Sequence, residues 1–198
     1  MSCRILHSLT ALLSPLALAA CSGLGSAPPE LVELYDMAAT EGTIEMELDR
    51  DGTIVGIEGD VPIEALPPKM REKALEMLPG ARITGAEREF MHDGNGWEVK
   101  LTHEERAWEI VLDDDGNVIE TEKELRAEEV PPEVLASADK ALPRGQRTSV
   151  EIVESGGTAA YHIKKREGQV SYKIVVSPDG TVLRVVREHR AEVEIPLP

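Results

Sequence analysis

Trp97, Val99 and Leu101 are separated by Glu98 and Lys100, and Trp108, Ile110 and Leu112 alternate in the same sense. Alternation with a period of two marks a strand with one buried face, so strands are expected at both places. A further extended stretch is expected around 83–90, with His92 to Gly96 as a turn-rich break and a returning strand at 118–122. Ahead of these strands the spacing changes. Met70, Ala74, Met77 and Leu78 recur at threes and fours, the apolar stripe of a helix. Pro67-Pro68 suits its first turn, and Pro79-Gly80 ends it.

The same succession returns 64 residues later. Pro131-Pro132 matches Pro67-Pro68, Leu142-Pro143 matches Leu78-Pro79, and Asp51-Gly52, Asp115-Gly116 and Asp179-Gly180 keep one spacing. Trp97 pairs with Tyr161, and Trp108 with Tyr172. Tyr161/Ile163 and Tyr172/Ile174/Val176 are then the inward faces of the later strands. Self-similarity at a fixed period implies a duplicated unit. The expectation is an α+β fold of tandem repeats, each one helix packed on an antiparallel β-sheet. The units are a partial one at 30–61 (helix plus hairpin), a first complete one at 62–125 and a second at 126–198. Separate cores and one continuous sheet are both compatible with this spacing.

Each Asp-Gly pair sits at a hairpin turn. In Ser177-Pro178-Asp179-Gly180 proline fits the second position and glycine the position needing positive φ. Asp49-Arg50-Asp51-Gly52 and Asp113-Asp114-Asp115-Gly116 are read as the same turn with a glycine bulge. A calcium loop of the EF-hand kind needs ligands spread over about twelve residues and a closing Glu, which these turns lack.

The helix ends (Met77-Leu78-Pro79-Gly80, Ala141-Leu142-Pro143), the aromatic-Xaa-apolar strands and the Asp-Gly hairpins at 97–120 and 161–184 together resemble the PepSY and PepSY-like family. Some of its members resemble the β-lactamase inhibitor proteins. The resemblance covers about residues 62–188, with 43–60 as a fragment. It implies a secreted or anchored, non-catalytic binding or inhibitory module, sometimes linked to protease regulation, and it carries over no active-site residue.

The start of the chain reads as an address. Residues 1–20 carry one charge, Arg4, then an apolar run from Leu9 to Ala20, the form of a signal peptide. It ends Leu18-Ala19-Ala20-Cys21, which resembles the lipobox of bacterial lipoproteins, where the cysteine takes diacylglycerol and becomes the new N-terminus. Residues 21–29 would be the lipidated Cys21 and a flexible stalk. Ser22 after the cysteine implies, by the sorting pattern of Gram-negative lipoproteins, an outer-membrane lipoprotein facing the periplasm.

Composition narrows the chemistry. The 198 residues carry 37 acids against 21 bases, a net charge of −16, which argues against a nucleic-acid partner because phosphates demand cations. Two cysteines, at 3 and 21, exclude a disulfide scaffold and a cysteine-rich zinc module. The histidines His92, His103, His162 and His189 show no spacing that sets two ligands on one helix face, and His162, outward on its strand, is read as a surface residue. No phosphate loop or nucleophile elbow occurs. No catalytic residue, cofactor or metal is therefore expected.

Charge is also uneven. Residues 22–60 hold ten acids and one base, 61–125 sixteen and eight, and 126–198 eleven of each. Outward Glu98, Glu109 and Glu120 become His162, Lys173 and Arg184 one period later. Either these faces approach each other and fix register by opposite charge, or Lys164, Lys173 and Arg184, in company with Lys165, Arg166 and Arg187, form a cationic face for an acidic partner. Trp97, Trp108, Tyr161 and Tyr172 are read as core or, alternatively, as an aromatic strip that anchors a partner. Trp97, Trp108, Tyr161, Tyr172, Lys164, Lys173 and Arg184 are the candidate partner-binding set. The expected function is a non-enzymatic, lipid-anchored periplasmic binding module that inhibits or regulates an envelope protease or other enzyme. A structural spacer and an unrecognised hydrolase are the alternatives.

Overall fold

A computed structural model describes residues 29–37, 42–92 and 94–189. The leader, Cys21 and the stalk up to residue 28 lie outside the described residues. Among the described residues there are three short α-helices: α1 (Pro29–Met37), α2 (Pro68–Met77) and α3 (Pro132–Ala141). Both α2 and α3 begin at the second residue of a Pro-Pro pair, where the missing N–H has no intrahelical partner to lose. Met70 and Ala74 are the buried side of α2, and Val134 and Ala138 that of α3.

Ten strands make up most of the rest: β1 (Ile44–Leu48), β2 (Ile54–Val61), β3 (Arg82–Met91), β4 (Gly94–His103), β5 (Arg106–Asp113), β6 (Val118–Glu124), β7 (Gln146–Ser155), β8 (Thr158–Glu167), β9 (Val170–Val176) and β10 (Val182–Glu188). They form one sheet in simple chain order, and each strand pairs antiparallel with the next. The three Asp-Gly turns take the expected form. Gly52, Gly116 and Gly180 have φ of +83°, +82° and +85°, and a register shift adjoins each turn. Asp49 Oδ1 accepts from the N–H groups of Asp51 and Thr53, both at 2.9 Å, which ties the first turn.

The fold class differs from the sequence expectation. This is a mainly β fold, one curled ten-stranded antiparallel sheet with three small helices, and not a set of helix-on-sheet units. The reason lies at β6 and β7. Glu120 faces Ser155, and the ladder runs to Glu124 facing Glu151, so backbone pairing crosses the place where one unit was expected to end. Strands twist in one hand, and sheets of this width curl. Here the two edges come close enough for Arg184 of β10 to donate to Glu47 Oε1 of β1, 137 residues apart in sequence.

The two large apolar clusters lie on the helix-bearing face. The one beneath α1 and α2 includes Leu34, Ile57, Met70, Phe90, Trp97, Val99 and Ile110. The one beneath α3 includes Val134, Val150, Tyr161, Ile163 and Ile174. Buried Arg88 stacks between the rings of Phe90 and Trp97, at 4.8 and 4.9 Å, and pairs with Asp114 at 2.6 Å. The opposite face of the sheet is covered by no described helix, and it is the inside of the curl.

Candidate functional site

Strand register decides which side chains line this hollow. On β4 the core takes Trp97, Val99 and Leu101, so Glu98 and Lys100 point the other way. Their register partners extend the face outward: Glu87 opposite Glu98, Glu109 opposite Lys100, and Asp60 opposite Glu87. Towards the far edge the same face carries Glu120 and Glu122 of β6, Glu151 of β7, His162 and Lys164 of β8, Lys173 of β9 and Arg184 of β10. Val111 and Val153, both 4% exposed, are the apolar floor between them.

Ordinarily the polar face of an antiparallel sheet is wet. Curling dries this one. Glu89 and Glu98 are only 7% and 8% exposed although no described helix lies over them. Burial pushes the carboxyls of Glu89 and Glu122 up to about 8, with neighbouring glutamates adding to the effect. Glu98 is raised well above the carboxylate range by burial, and by Glu109 and Glu87 beside it. Burial lifts Glu87 to about 7, although Lys100 donates to it. Burial likewise raises Glu58, Glu120 and Glu151.

The cations answer these acids. Burial works against the Lys100 ammonium, yet its contacts with Glu87, Asp60 (3.5 Å) and Glu98 (4.0 Å) raise its pKa. Lys164 is raised in the same way, its Nζ 3.5 Å from Glu151 Oε1. Charges from distant strands also act across the hollow, since Lys173 of β9 favours the ionised form of Glu58 on β2. The acidic first half and the more basic last strands therefore face each other over the curl rather than along a ladder.

The candidate residues divide between the two faces. Trp97 and Tyr161 are buried in the core. Trp108 is half-buried against the same core with Lys123 Nζ 5.0 Å from its ring centre, and Tyr172, also half-buried, faces Lys165 of β8 and Arg187 of β10. Lys164 and Lys173 lie opposite one another in the hollow, and Arg184 closes its rim on Glu47. Lys165 points into the other face, 2% exposed, and donates to Asp139 and the Leu142 carbonyl, both at 2.8 Å.

His162 is a correction. It is not a surface residue: its side chain is 17% exposed and lies 3.7 Å from Glu122 Oε1. Burial, with Lys173, Lys164 and Arg184 nearby, pulls its pKa down to about 4, so it is neutral at physiological pH. Together with Glu122 and Glu151 it places three potential donor atoms within 4.8 Å of one another. Spacing on one helix could not disclose this group, because its members come from three successive strands.

No family model matches the chain, and no curated protein matches it, so the PepSY resemblance stands without support from either. Solved structures share the fold at low identity. A protein of Bacteroides eggerthii described as one of the "putative periplasmic proteins" is 17% identical over 61% of this chain and 88% of its own, with a TM-score of 0.52. A DUF2874 family protein of Bacteroides uniformis is 16% identical over the same shares, with a TM-score of 0.51. A BLIP-like protein of Bacteroides fragilis is 20% identical over 66% of this chain and 94% of its own, at the looser TM-score of 0.49.

Proposed function

We propose that this chain is a non-enzymatic, lipid-anchored periplasmic module that binds a protein partner in the hollow of its sheet, and that the partner is an envelope enzyme, such as a protease, which it inhibits or regulates. One observation carries the reading: a whole sheet face, left uncovered among the described residues, is lined by ionisable groups at partial or full burial. Burying carboxyls costs stability, and such perturbed groups concentrate where a ligand uses them. A partner segment with basic or hydrogen-bonding groups complements this hollow, whose acids outnumber its cations. The lipobox-like run ending at Cys21 supports an envelope address, and Ser22 supports the outer membrane. The fold shared with a protein described as periplasmic supports the envelope address alone.

The test captures partners from an envelope extract on the immobilised mature chain and on a Glu45→Lys/Glu109→Lys variant, which reverses two acids of this face, Glu45 of β1 opposite Glu58 and Glu109 of β5 opposite Lys100. One dominant envelope protein retained by the first and lost from the second is the expected result. Equal capture by both, or none by either, contradicts the reading and favours a spacer. Mass analysis of the native N-terminus accompanies it, with a diacylglyceryl Cys21 expected; an unmodified Cys21 removes the anchor.

A further inference from the structure

Near the floor of the hollow, β6, β7 and β8 each contribute one side chain to a compact group of mixed donors. Glu151 faces His162 directly across the β7–β8 ladder. Glu122, two residues from Glu124 and on the same face, reaches them from β6, because Glu124 is the direct partner of Glu151. A carboxylate oxygen from each glutamate and an imidazole nitrogen all lie within 4.8 Å of one another, and the His162 Nδ1 to Glu122 Oε1 separation is 3.7 Å. In a tetrahedral zinc site with bonds of about 2.0–2.2 Å, donors stand roughly 3.3 Å apart. Small side-chain rotations on fixed strands therefore suffice to bring these three in.

A second observation singles this group out from the many acids around it. Glu151 Oε1 is 3.5 Å from Lys164 Nζ, but Oε2 is buried without a hydrogen-bond partner. A buried carboxylate oxygen left without a partner is an expensive arrangement for a binding-free site. We propose that Glu122, Glu151 and His162 bind a divalent transition-metal ion of borderline softness, with Zn²⁺ as the representative, and that its remaining coordination positions open into the hollow. Imidazole with carboxylates suits Zn²⁺, Ni²⁺, Cu²⁺ or Co²⁺ better than Ca²⁺, which takes six to eight oxygens. The surrounding charge permits it: Glu109 and Glu120 face the group from β5 and β6, and Lys164, Lys173 and Arg184 oppose it from β8, β9 and β10.

The experiment is calorimetric titration of the untagged full chain with ZnCl₂, repeated with CaCl₂ and on the His162→Gln and Glu151→Gln variants. Circular dichroism and visible spectra of the Co²⁺-loaded protein accompany it. The expected result is a saturable 1:1 Zn²⁺ site, little response to Ca²⁺ and intense Co²⁺ bands. Affinity should fall roughly tenfold or more in each folded variant, as the loss of a ligand entails. Should either variant fail to fold, the wild-type Co²⁺ spectrum decides, since imidazole ligation shifts it from that of an all-oxygen site. The proposal is overturned by no saturable Zn²⁺ binding, by binding equal in the folded variants, or by an all-oxygen Co²⁺ spectrum. Loss of partner capture with intact Zn²⁺ binding would bear on the proposed function alone.

Discussion

At the scale of single residues, the costliest choices sit in the hollow. Glu89 has an ordinary carboxylate value of 4.5 and a folded value of about 8, raised first by burial. Between those limits the folded protein keeps a proton that the unfolded chain has lost, so this residue makes stability fall as pH rises from 4.5 to 8. His162 acts on the other side. Its value is lowered from 6.5 to about 4, so stability falls as pH drops through that window. Stability is accordingly greatest in mildly acidic solution. Glutamine mimics the protonated acid, so Glu89→Gln should match the parent near pH 4.5 and exceed it by roughly 2–4 kcal/mol at pH 8. Urea denaturation at the two pH values measures this; a variant less stable at pH 8 would mean that Glu89 is ionised and paired.

Among the elements, the turns follow most directly from their own residues. Gly52 has φ of +83° with nothing within 4 Å of a built Cβ, so the demand there is one of backbone alone. Gly52→Ala should cost roughly 1–2 kcal/mol, the penalty of a left-handed alanine, as read from thermal or chemical denaturation. An unchanged midpoint would show that the β1–β2 turn relaxes. Helices, turns and inward faces were legible because each depends on neighbours a few residues away: Pro-Pro starts, Asp-Gly turns and period-two alternation. The pairing of β6 with β7 was not. Its rungs join Glu120–Glu124 to Glu151–Ser155 across the whole of α3, and nothing local distinguishes a paired edge from a free one.

At the scale of the whole molecule, that one pairing changes what the other residues do. It joins the hairpins into a sheet wide enough to curl, and the curl turns an outward polar face into a hollow. The alternation at Glu98, Glu109 and His162 correctly placed these residues away from the helices. It could not disclose their dryness, because a single strand carries no record of its sheet's curvature. Function follows the same line, since the aromatic residues that stood out in the sequence, Trp97 and Tyr161, are spent on the core, while the hollow is lined by glutamates that looked like ordinary solvated charge. The most direct measurement is a pH titration of the glutamate side-chain carboxyls by ¹³C NMR. The account predicts that Glu89 and Glu122 titrate near pH 8 and that Glu98 titrates well above the usual carboxylate range. If all three titrate between about 4 and 5, as solvated glutamates do, the face is open and wet, and the hollow does not exist.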